Sequence, residues 1–369
     1  MRYAPRDIYT HAEEYIAHCR RHPCSSRISA LKIGLWGLKR ALFPRDTGLK
    51  KKSEFSDKNL HVAFILEGGI GDIVINANYI ENFIRIASCP VIIDIYAGQK
   101  NDILQLIFEN SVYISNIMGD KPLQYAYDAV IDMLYMPKLL SVDEGRLTYL
   151  GGEKLNGCLA NMRRFAAVFP EWVSSRSCNF AGLLGYARLR GLNRNRLASA
   201  GNMEEGFDEN LFSLSVPAIT PDVLKRFPFL NAPFIAVNRS VGSSRDSTKL
   251  WSVKEYQNVL TRIKEQYPAI PLIRIGSETG EIQDCNVNIC GKTTFNELMI
   301  ILGRATLLVS NEGGLVHLRH FLHGGKSTVL FCSTDKNFYG YQENENIGKN
   351  CHCEWFHHGW QEFCIKIYN

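Results

Sequence analysis

The chain has 369 residues, enough for two domains of ordinary size, and its content of 46% hydrophobic and 21% charged residues is typical of a folded globular protein and excludes a disordered one. No apolar run approaches the roughly 20 residues of a membrane-spanning helix, and the amino terminus lacks the apolar core and cleavage site of a secretory signal. We therefore expect a cytoplasmic protein whose eleven cysteines are mostly reduced.

Residues 1–55 are predicted to form a basic, helical arm. Within residues 1–52, twelve Lys and Arg stand against four Asp and Glu, a net charge of +8 in a chain whose total is +5. In ISALKIGLWGLKRALF, apolar residues recur every three or four positions with cations between them, which indicates an amphipathic helix. Two interpretations fit: a helix resting on an anionic membrane surface, which the one-sided charge favours, or a helix packed on the body of the protein.

Residues 56–215 are predicted to form a first domain of alternating strands and helices. The apolar runs HVAFIL, PVIIDIYA and AVIDML are separated by helical stretches near residues 73–87 and 101–110. Continuous apolar strands of this kind are buried on both faces, as in a parallel sheet covered by helices. Residues 145–200 are predicted to be helical or irregular and are rich in arginine.

A glycine-rich loop, EGGIGD at residues 67–72, follows the first of these strands. Gly69 and Gly71 supply the start of the dinucleotide-binding pattern G-x-G-x-x-G, but Val74 stands where its third glycine belongs. No Gly-Lys-Ser/Thr follows, so a phosphate-cradling P-loop is also excluded. The glycines let the backbone approach a ligand closely and point its N–H groups at it.

A second domain is predicted at residues 216–335, after a proline-bearing segment. The strands FIAVNRS, PLIRIGS, TLLVSNEGG and STVLFCS alternate with three helices. Ligands of such sheets bind beyond the carboxyl ends of the strands. We therefore predict an α/β protein with two Rossmann-like domains, whose parallel sheets face a cleft lined by loops 67–72, 238–249, 276–281 and 310–317.

These loops, in this order, resemble the motifs of glycosyltransferase family 9, the bacterial heptosyltransferases of the two-domain GT-B fold. The resemblance covers roughly residues 60–335, and its elements are GGIGD at 68–72, TKLW at 248–251, IGSE at 275–278 and SNEGGLVH at 310–317. One departure is that the family commonly has Asp-Ser/Thr-Gly where this chain has Asn311-Glu312-Gly313, so its carboxylate comes one position later.

The resemblance implies an inverting glycosyltransferase that moves a sugar, heptose from ADP-heptose by family, to a cell-envelope glycan or lipid-linked acceptor. It implies no catalytic metal, no nucleic-acid partner and, with the basic arm, peripheral contact with the inner face of the bacterial inner membrane. Asp72 is then the general base for the acceptor hydroxyl, unless it only caps the following helix. Lys249 is expected on the departing diphosphate, because an ammonium is a good point-charge partner for phosphate oxygens.

Further contacts are expected from the same loops. Gly313 and Gly314 precede a helix and offer backbone N–H groups and a positive dipole end to an anionic donor. His317 follows one turn later, where a structural role is as common as donor binding. The expected donor-binding residues are Lys249, Ser240, Ser243, Ser244, Glu278, Glu281, Glu312, Gly313, Gly314 and His317. The expected acceptor-binding residues are Gly69, Gly71, Arg163 and Arg164, although arginines of this region also fit a solvated helix face.

Residues 336–369 are predicted to form a cysteine-rich tail. The three cysteines of this tail, together with one cysteine shortly before it, could form a tetrahedral site for a structural zinc or iron ion. The four proposed ligands are Cys332, Cys351, Cys353 and Cys364. His357 or His358 could replace one thiolate, because the C-x-C pair is tighter than the usual C-x-x-C. The tail loosely resembles that of the autotransporter heptosyltransferases, which carry iron there, but free thiols or one disulfide fit the sequence as well.

Two other functions fit the sequence. The tail alone supports a protein O-heptosyltransferase of the autotransporter type. The Asn311-Glu312 departure fits a non-catalytic assembly or binding protein that keeps the GT-B fold.

Overall fold

The computed structural model describes residues 58–97, 101–109, 111–118, 127–169, 180–240, 249–276, 285–332 and 334–348. These residues fall into two compact units, one holding the residues up to Gly68 and Asn76–Glu209, the other Gly69–Ile75 and the residues from Asn210 onward. The predicted amino-terminal arm lies outside the described residues. The domain limits drawn from the sequence stay predictions.

The first unit is built on a five-stranded sheet. Its strands and intervening helices are β1 (Leu60–Leu66), α1 (Ile70–Ile86), β2 (Val91–Tyr96), α2 (Asn101–Ile107), β3 (Ile114–Met118), β4 (Ala129–Met133) and β5 (Pro137–Val142). The strand order is β3-β2-β1-β4-β5, parallel except for the edge strand β5, which runs antiparallel to β4. The order turns between β1 and β4, so the glycine-rich loop leaves β1 at this switch point.

The described part of the first unit also contains the helices α3 (Glu144–Leu150), α4 (Gly152–Val168), α5 (Phe180–Leu189) and α6 (Arg194–Leu197). Side-chain caps begin two of them, because Asp143 accepts from the backbone N–H of Arg146 and Asn193 from that of Arg196. The prediction of a helical or irregular region here agrees with these elements.

Buried asparagines fasten helix α1 to the segment that follows α6. Asn78 and Asn82 are fully buried, and their side-chain amides donate to the carbonyl oxygen of Asp208 at 3.1 and 2.8 Å. The Asp208 N–H donates back to Asn82 Oδ1 at 2.9 Å. These bonds satisfy buried polar groups, and they fix the helix that begins at the glycine-rich loop.

The second unit is built on a six-stranded parallel sheet. Its elements are α7 (Pro221–Arg226), a 3-10 helix (Pro228–Asn231), β6 (Ile235–Asn238), α8 (Val253–Gln266), β7 (Leu272–Arg274), β8 (Val287–Asn288), α9 (Phe295–Arg304), β9 (Leu307–Asn311), α10 (Gly314–Phe321), β10 (Ser327–Phe331), α11 (Lys336–Tyr339) and β11 (Glu345–Gly348). The strand order is β11-β10-β9-β6-β7-β8. The chain runs outward from β6 to β8 and returns to β9, so the switch point lies between β6 and β9.

Helix α10 differs from its neighbours at both ends. Helices α8 and α9 begin with capping boxes, whereas Gly313 precedes α10 without a side-chain cap. Near its other end, the buried Arg319 donates to the carbonyl oxygens of Leu302, Ala305 and Lys326, at the end of α9 and in the turn before β10. Burial lowers the pKa of Arg319 to about 10, yet the carbonyl groups hold the cation in place.

The predicted α/β class with two parallel sheets is confirmed, and the apolar runs named from the sequence form β1, β2, β4, β6, β7, β9 and β10. Strands β3, β5, β8 and β11 were not predicted. Helix α11 and strand β11 lie in the segment that the sequence analysis assigned to the tail. Among the described helices, none has the length and apolarity to cross a bilayer.

Candidate functional site

Polar side chains bridge the switch point of the second unit. Asn238, at the end of β6, donates from Nδ2 to Ser310 Oγ of β9 at 3.0 Å, and its Oδ1 accepts from Ser240 Oγ at 2.5 Å. Gly276, which follows β7, has a φ of 106°, and a Cβ there would collide with Asn238 Oδ1 and Ser240 Oγ. Both its backbone conformation and this close approach therefore require glycine. Ser240, a predicted donor-binding residue, is engaged in this bridge.

A buried carboxylate lies at the end of β9. Glu312 is 3% exposed, with Oε2 3.1 Å from Lys249 Nζ and Oε1 3.8 Å from His317 Nε2. Burial acts to raise the pKa of Glu312, but the attraction of Lys249 and His317 outweighs it and lowers the pKa to about 2. The structure thus brings together three of the predicted donor-binding residues, with Lys249 and His317 on either side of the ionised Glu312.

The residue pair that departs from the family pattern holds this lysine. The side-chain amide of Asn311 donates to the carbonyl oxygen of Lys249 at 2.9 Å, while Glu312 pairs with the Lys249 ammonium. The ring of Tyr339 adds a weaker contact, with Lys249 Nζ 5.8 Å from its centroid. Asn311 therefore fixes the lysine backbone, and Glu312 fixes its charged end.

The other face of His317 meets a residue that sequence reasoning missed. His317 Nδ1 lies 2.8 Å from the hydroxyl of Tyr341, and both residues are buried. The Tyr341 ring stacks on His320, with centroids 3.7 Å apart and planes 12° apart, and His320 Nδ1 lies 2.5 Å from Glu343 Oε1. No motif or periodicity marks Tyr341, so the sequence held no signal that could have found it.

From Gly69 onward, the glycine-rich loop belongs to the same unit as α10, because Gly69–Ile75 clusters with the second unit. A Cβ on Gly71 would lie 2.7 Å from His317 Cδ2 and 3.1 Å from Gly314 Cα, so the loop and α10 meet at a distance that only glycine allows. Asp72 is the third residue of α1, and its Oδ2 accepts from the Gly69 N–H at 3.0 Å. The capping contact that was the alternative role of Asp72 is therefore present. Asp72 directly follows Gly71, the residue at which the loop meets α10.

The remaining predicted residues are placed as follows. Arg163 pairs with Glu144, with the two side chains 49% and 70% exposed, and Arg164 is exposed on α4. This arrangement matches the solvated helix face that was the alternative for these arginines. The predicted residues outside the described part of the chain are Ser243, Ser244, Glu278 and Glu281.

The proposed metal ligands are almost all outside the described residues. Cys332 is half-buried directly after β10, whereas Cys351, Cys353 and Cys364 lie beyond the last described residue, as do His357 and His358. Within residues that the structure does describe, no group of three or more His, Cys, Asp and Glu side chains is arranged to hold a metal ion.

The ionised Glu312 makes stability depend on pH. Its pKa is about 2 in the folded protein against an ordinary 4.5, so its contribution is fully present above pH 4.5 and is lost as the pH falls through about 2. Glu312→Gln keeps the shape and removes the charge. We expect it to lower the free energy of unfolding at pH 7 by on the order of 3 kcal/mol, measured by urea unfolding.

The difference between wild type and Glu312→Gln should shrink as the pH falls from 4.5 toward 3. Glu265→Gln, at an exposed position of α8, is the matched control and should change the free energy by less than about 0.5 kcal/mol. A difference that stays constant from pH 7 to pH 3 would contradict the low pKa of Glu312.

A second prediction concerns the glycine contact. Gly71→Ala forces a methyl group against the buried His317 ring and the Gly314 backbone, so we expect a loss of about 1–3 kcal/mol in the free energy of unfolding. Gly69→Ala is the control, because its Cβ would have only Asp72 Oδ2 within 4 Å, at 3.9 Å. Equal effects of the two substitutions would refute the close approach at Gly71.

Part of the chain matches the model of a known protein family. Residues 210–355 match the family model of glycosyltransferase family 9 (heptosyltransferase), a segment that includes Lys249, Glu312 and His317. Comparison with curated protein sequences gives no match.

Several solved structures are similar to the chain. The dodecameric, iron-containing heptosyltransferase TibC in complex with ADP-D-β-D-heptose gives a TM-score of 0.51 at 15% identity, covering 80% of this chain and 65% of that chain. A second TibC structure, from enterotoxigenic E. coli, gives 0.49 at 16% identity over 80% and 66%. The E. coli ADP-heptose lipopolysaccharide heptosyltransferase II gives 0.45 at 11% identity over 84% and 96%.

The chain spans just under two thirds of the length of TibC, and at 15% identity the likeness shows the fold alone. The family match confirms the resemblance drawn from the sequence over residues 210–355, and the two parallel sheets agree with the fold that it implied. Residues 210–355, which are less than half of the chain and include the cluster of Lys249, Glu312 and His317, are therefore similar to glycosyltransferase family 9 (heptosyltransferase).

Proposed function

We propose that the protein is an inverting glycosyltransferase that moves heptose from ADP-heptose to a cell-envelope glycan acceptor. The observation that carries the proposal is the buried cluster of Lys249, Glu312 and His317, which lies in one compact unit with the glycine-rich loop that bears Asp72. A sugar transfer from a nucleotide needs a base for the acceptor hydroxyl and positive charge for the leaving diphosphate, and both residue types occur here.

The positive charge comes from Lys249 and from helix α10. Glu312 keeps the ammonium at a fixed point at the end of β9, so Lys249 needs no rearrangement to meet a phosphate group. The uncapped start of α10 at Gly313 and Gly314 adds backbone N–H groups and the positive end of the helix dipole. We assign the donor diphosphate to this part of the second unit.

The choice of donor rests on the comparisons. The matching family model is described as heptosyltransferase, and TibC, which shares the fold, was solved in complex with ADP-D-β-D-heptose. These two findings support an ADP-bound heptose as the donor.

The transfer step follows from these assignments. The acceptor oxygen forms a bond to the sugar carbon from the side opposite the diphosphate, and the bond between that carbon and the phosphate oxygen breaks. The hydroxyl proton passes to the Asp72 carboxylate, and the electron pair leaves with the diphosphate, whose charge Lys249 and the α10 N–H groups balance. The Gly69 N–H holds the Asp72 carboxylate in position for this role.

The alternatives differ in the acceptor or in catalysis. A protein O-heptosyltransferase would use the same donor chemistry, and transfer assays on protein and lipid-linked acceptors tell the two apart. The hypothesis of a non-catalytic assembly or binding protein rested on Asn311 and Glu312. The contacts of these two residues with Lys249 support an intact donor site instead.

The role of Asp72 is tested by Asp72→Asn. The amide oxygen can still accept from the Gly69 N–H, so the fold should persist, whereas the base is lost. We expect sugar transfer from ADP-heptose to fall by about 10²–10⁴-fold with ADP affinity unchanged by calorimetry. Asp222→Asn, in the first turn of α7 and exposed, is the matched control and should keep full activity. Full activity of Asp72→Asn would remove this residue from the mechanism.

The role of Lys249 is tested by Lys249→Ala. Because the ammonium is assigned to the diphosphate, we expect ADP affinity to fall by about tenfold or more, the loss of one charged hydrogen bond. Lys254→Ala, exposed in the first turn of α8, is the control for the loss of a lysine. Unchanged ADP affinity of a folded Lys249→Ala protein would reject the assignment.

A further inference from the structure

The contact between Tyr341 and His317 determines which nitrogen of the histidine carries a proton. His317 is 5% exposed and Tyr341 is 8% exposed, so water cannot readily replace either partner. One ring nitrogen, Nδ1, lies 2.8 Å from the Tyr341 hydroxyl, and the other, Nε2, faces Glu312 Oε1 at 3.8 Å. The chemistry of these two neighbours is different, and it decides the state of the ring.

Glu312 requires a donor on the Nε2 side. With a pKa of about 2, its carboxylate is ionised at neutral pH and only accepts hydrogen bonds. A lone pair on Nε2 would face this negative charge in a buried site, which is unfavourable. Glu312 therefore favours a neutral His317 that carries its proton on Nε2, although the 3.8 Å between Nε2 and Oε1 is too long for a hydrogen bond that would fix it.

Nδ1 then carries a lone pair, and the Tyr341 hydroxyl is positioned to donate to it. We infer that Tyr341 is a positioning residue of the proposed donor site: by donating to Nδ1 it stabilises the Nε2–H tautomer that Glu312 favours and holds that edge of the ring toward Glu312. This role rests on the proposed function, because His317 and Glu312 are its donor-site residues. The tyrosine lies 24 positions beyond the histidine and outside the four sequence motifs that carry the resemblance.

Within the described residues, His317 is contacted by Glu312 after β9, Tyr341 after α11 and Gly71 of the glycine-rich loop. Glu312 is thus the polar neighbour of Nε2, and Tyr341 is the polar neighbour of Nδ1.

The position of Tyr341 is itself fixed by contacts that do not involve its hydroxyl. Its ring stacks on His320 at 3.7 Å, and its carbonyl oxygen accepts from the side chain of Asn346 in β11 at 2.8 Å. A phenylalanine at this position keeps both contacts. Tyr341→Phe is therefore expected to fold and to remove the hydrogen bond to His317.

The tautomer is read by NMR of the full chain with ¹⁵N-labelled histidine imidazoles, the His317 signals being identified with a His317→Gln variant. In the wild type at a pH where the ring is neutral, we expect the proton on Nε2 and none on Nδ1. In Tyr341→Phe we expect the signals to move toward a mixture of the two tautomers. A proton on Nδ1 in the wild type, or an unchanged tautomer in Tyr341→Phe, overturns the inference.

The matched control is Tyr256→Phe. This tyrosine is fully buried in the second unit, and its hydroxyl donates to the carbonyl oxygens of Asn238 and Val309, away from His317. Loss of this hydroxyl tests whether general destabilisation disturbs the histidine, and we expect the His317 signals to keep the wild-type tautomer. A tautomer change of equal size in Tyr256→Phe would count against a specific role for Tyr341.

Transfer kinetics provide the second readout. With ADP-heptose and a lipid-linked acceptor, we expect Tyr341→Phe to lower kcat by about tenfold, as for a lost buried hydrogen bond, with little change in KM for the acceptor. Unchanged kcat in the presence of a changed tautomer refutes the positioning role. Because the NMR measurement needs no donor, a wild type without transferase activity would reject the proposed function and leave the tautomer result standing.

Discussion

The arrangement of polar and charged side chains at the end of β9 depends on one buried carboxylate, that of Glu312. Removing Glu312 from water costs several kcal/mol, and the cost is offset by the Lys249 ammonium and by the imidazole N–H of His317 that faces the carboxylate. Lys249 and His317 are therefore held in place by the same charge that they stabilise. A site arranged in this way is preorganised, because its charged groups already have their positions before any ligand arrives.

The topology of the sheet explains why these groups can meet. Strands β6 and β9 are neighbours, although two strands separate them along the chain, so the loops that follow them emerge side by side. Lys249 comes from the first loop and Glu312 from the second, and the glycine-rich loop approaches α10 where Gly71 and Gly314 leave room. Residues distant in sequence thus share one location because of strand order alone.

The sequence predicted the buried strands that alternate with helices in both units. Long apolar strands were recognised because burial on both faces leaves a continuous apolar run, whereas β8, of two exposed residues, and the edge strands β3, β5 and β11 carry no such run. Motifs named Lys249, Glu312 and His317 but could not give their pairing, which depends on side-chain geometry at the end of β9. Tyr341 was missed because a contact made by a lone residue in an irregular loop has no sequence pattern.

The position of the edge strand β11 limits where the chain can be cut to make fragments or chimaeras. The last of the motifs that resemble the family ends at His317, and a fragment cut soon after β10 would keep all of these motifs. It would lack Asn346 and the loop that it anchors, and with them the neighbour of the buried histidine. Chimaeras that exchange this half between relatives therefore need their carboxyl-terminal junction beyond Gly348, or they will combine a familiar signature with an incompletely assembled centre.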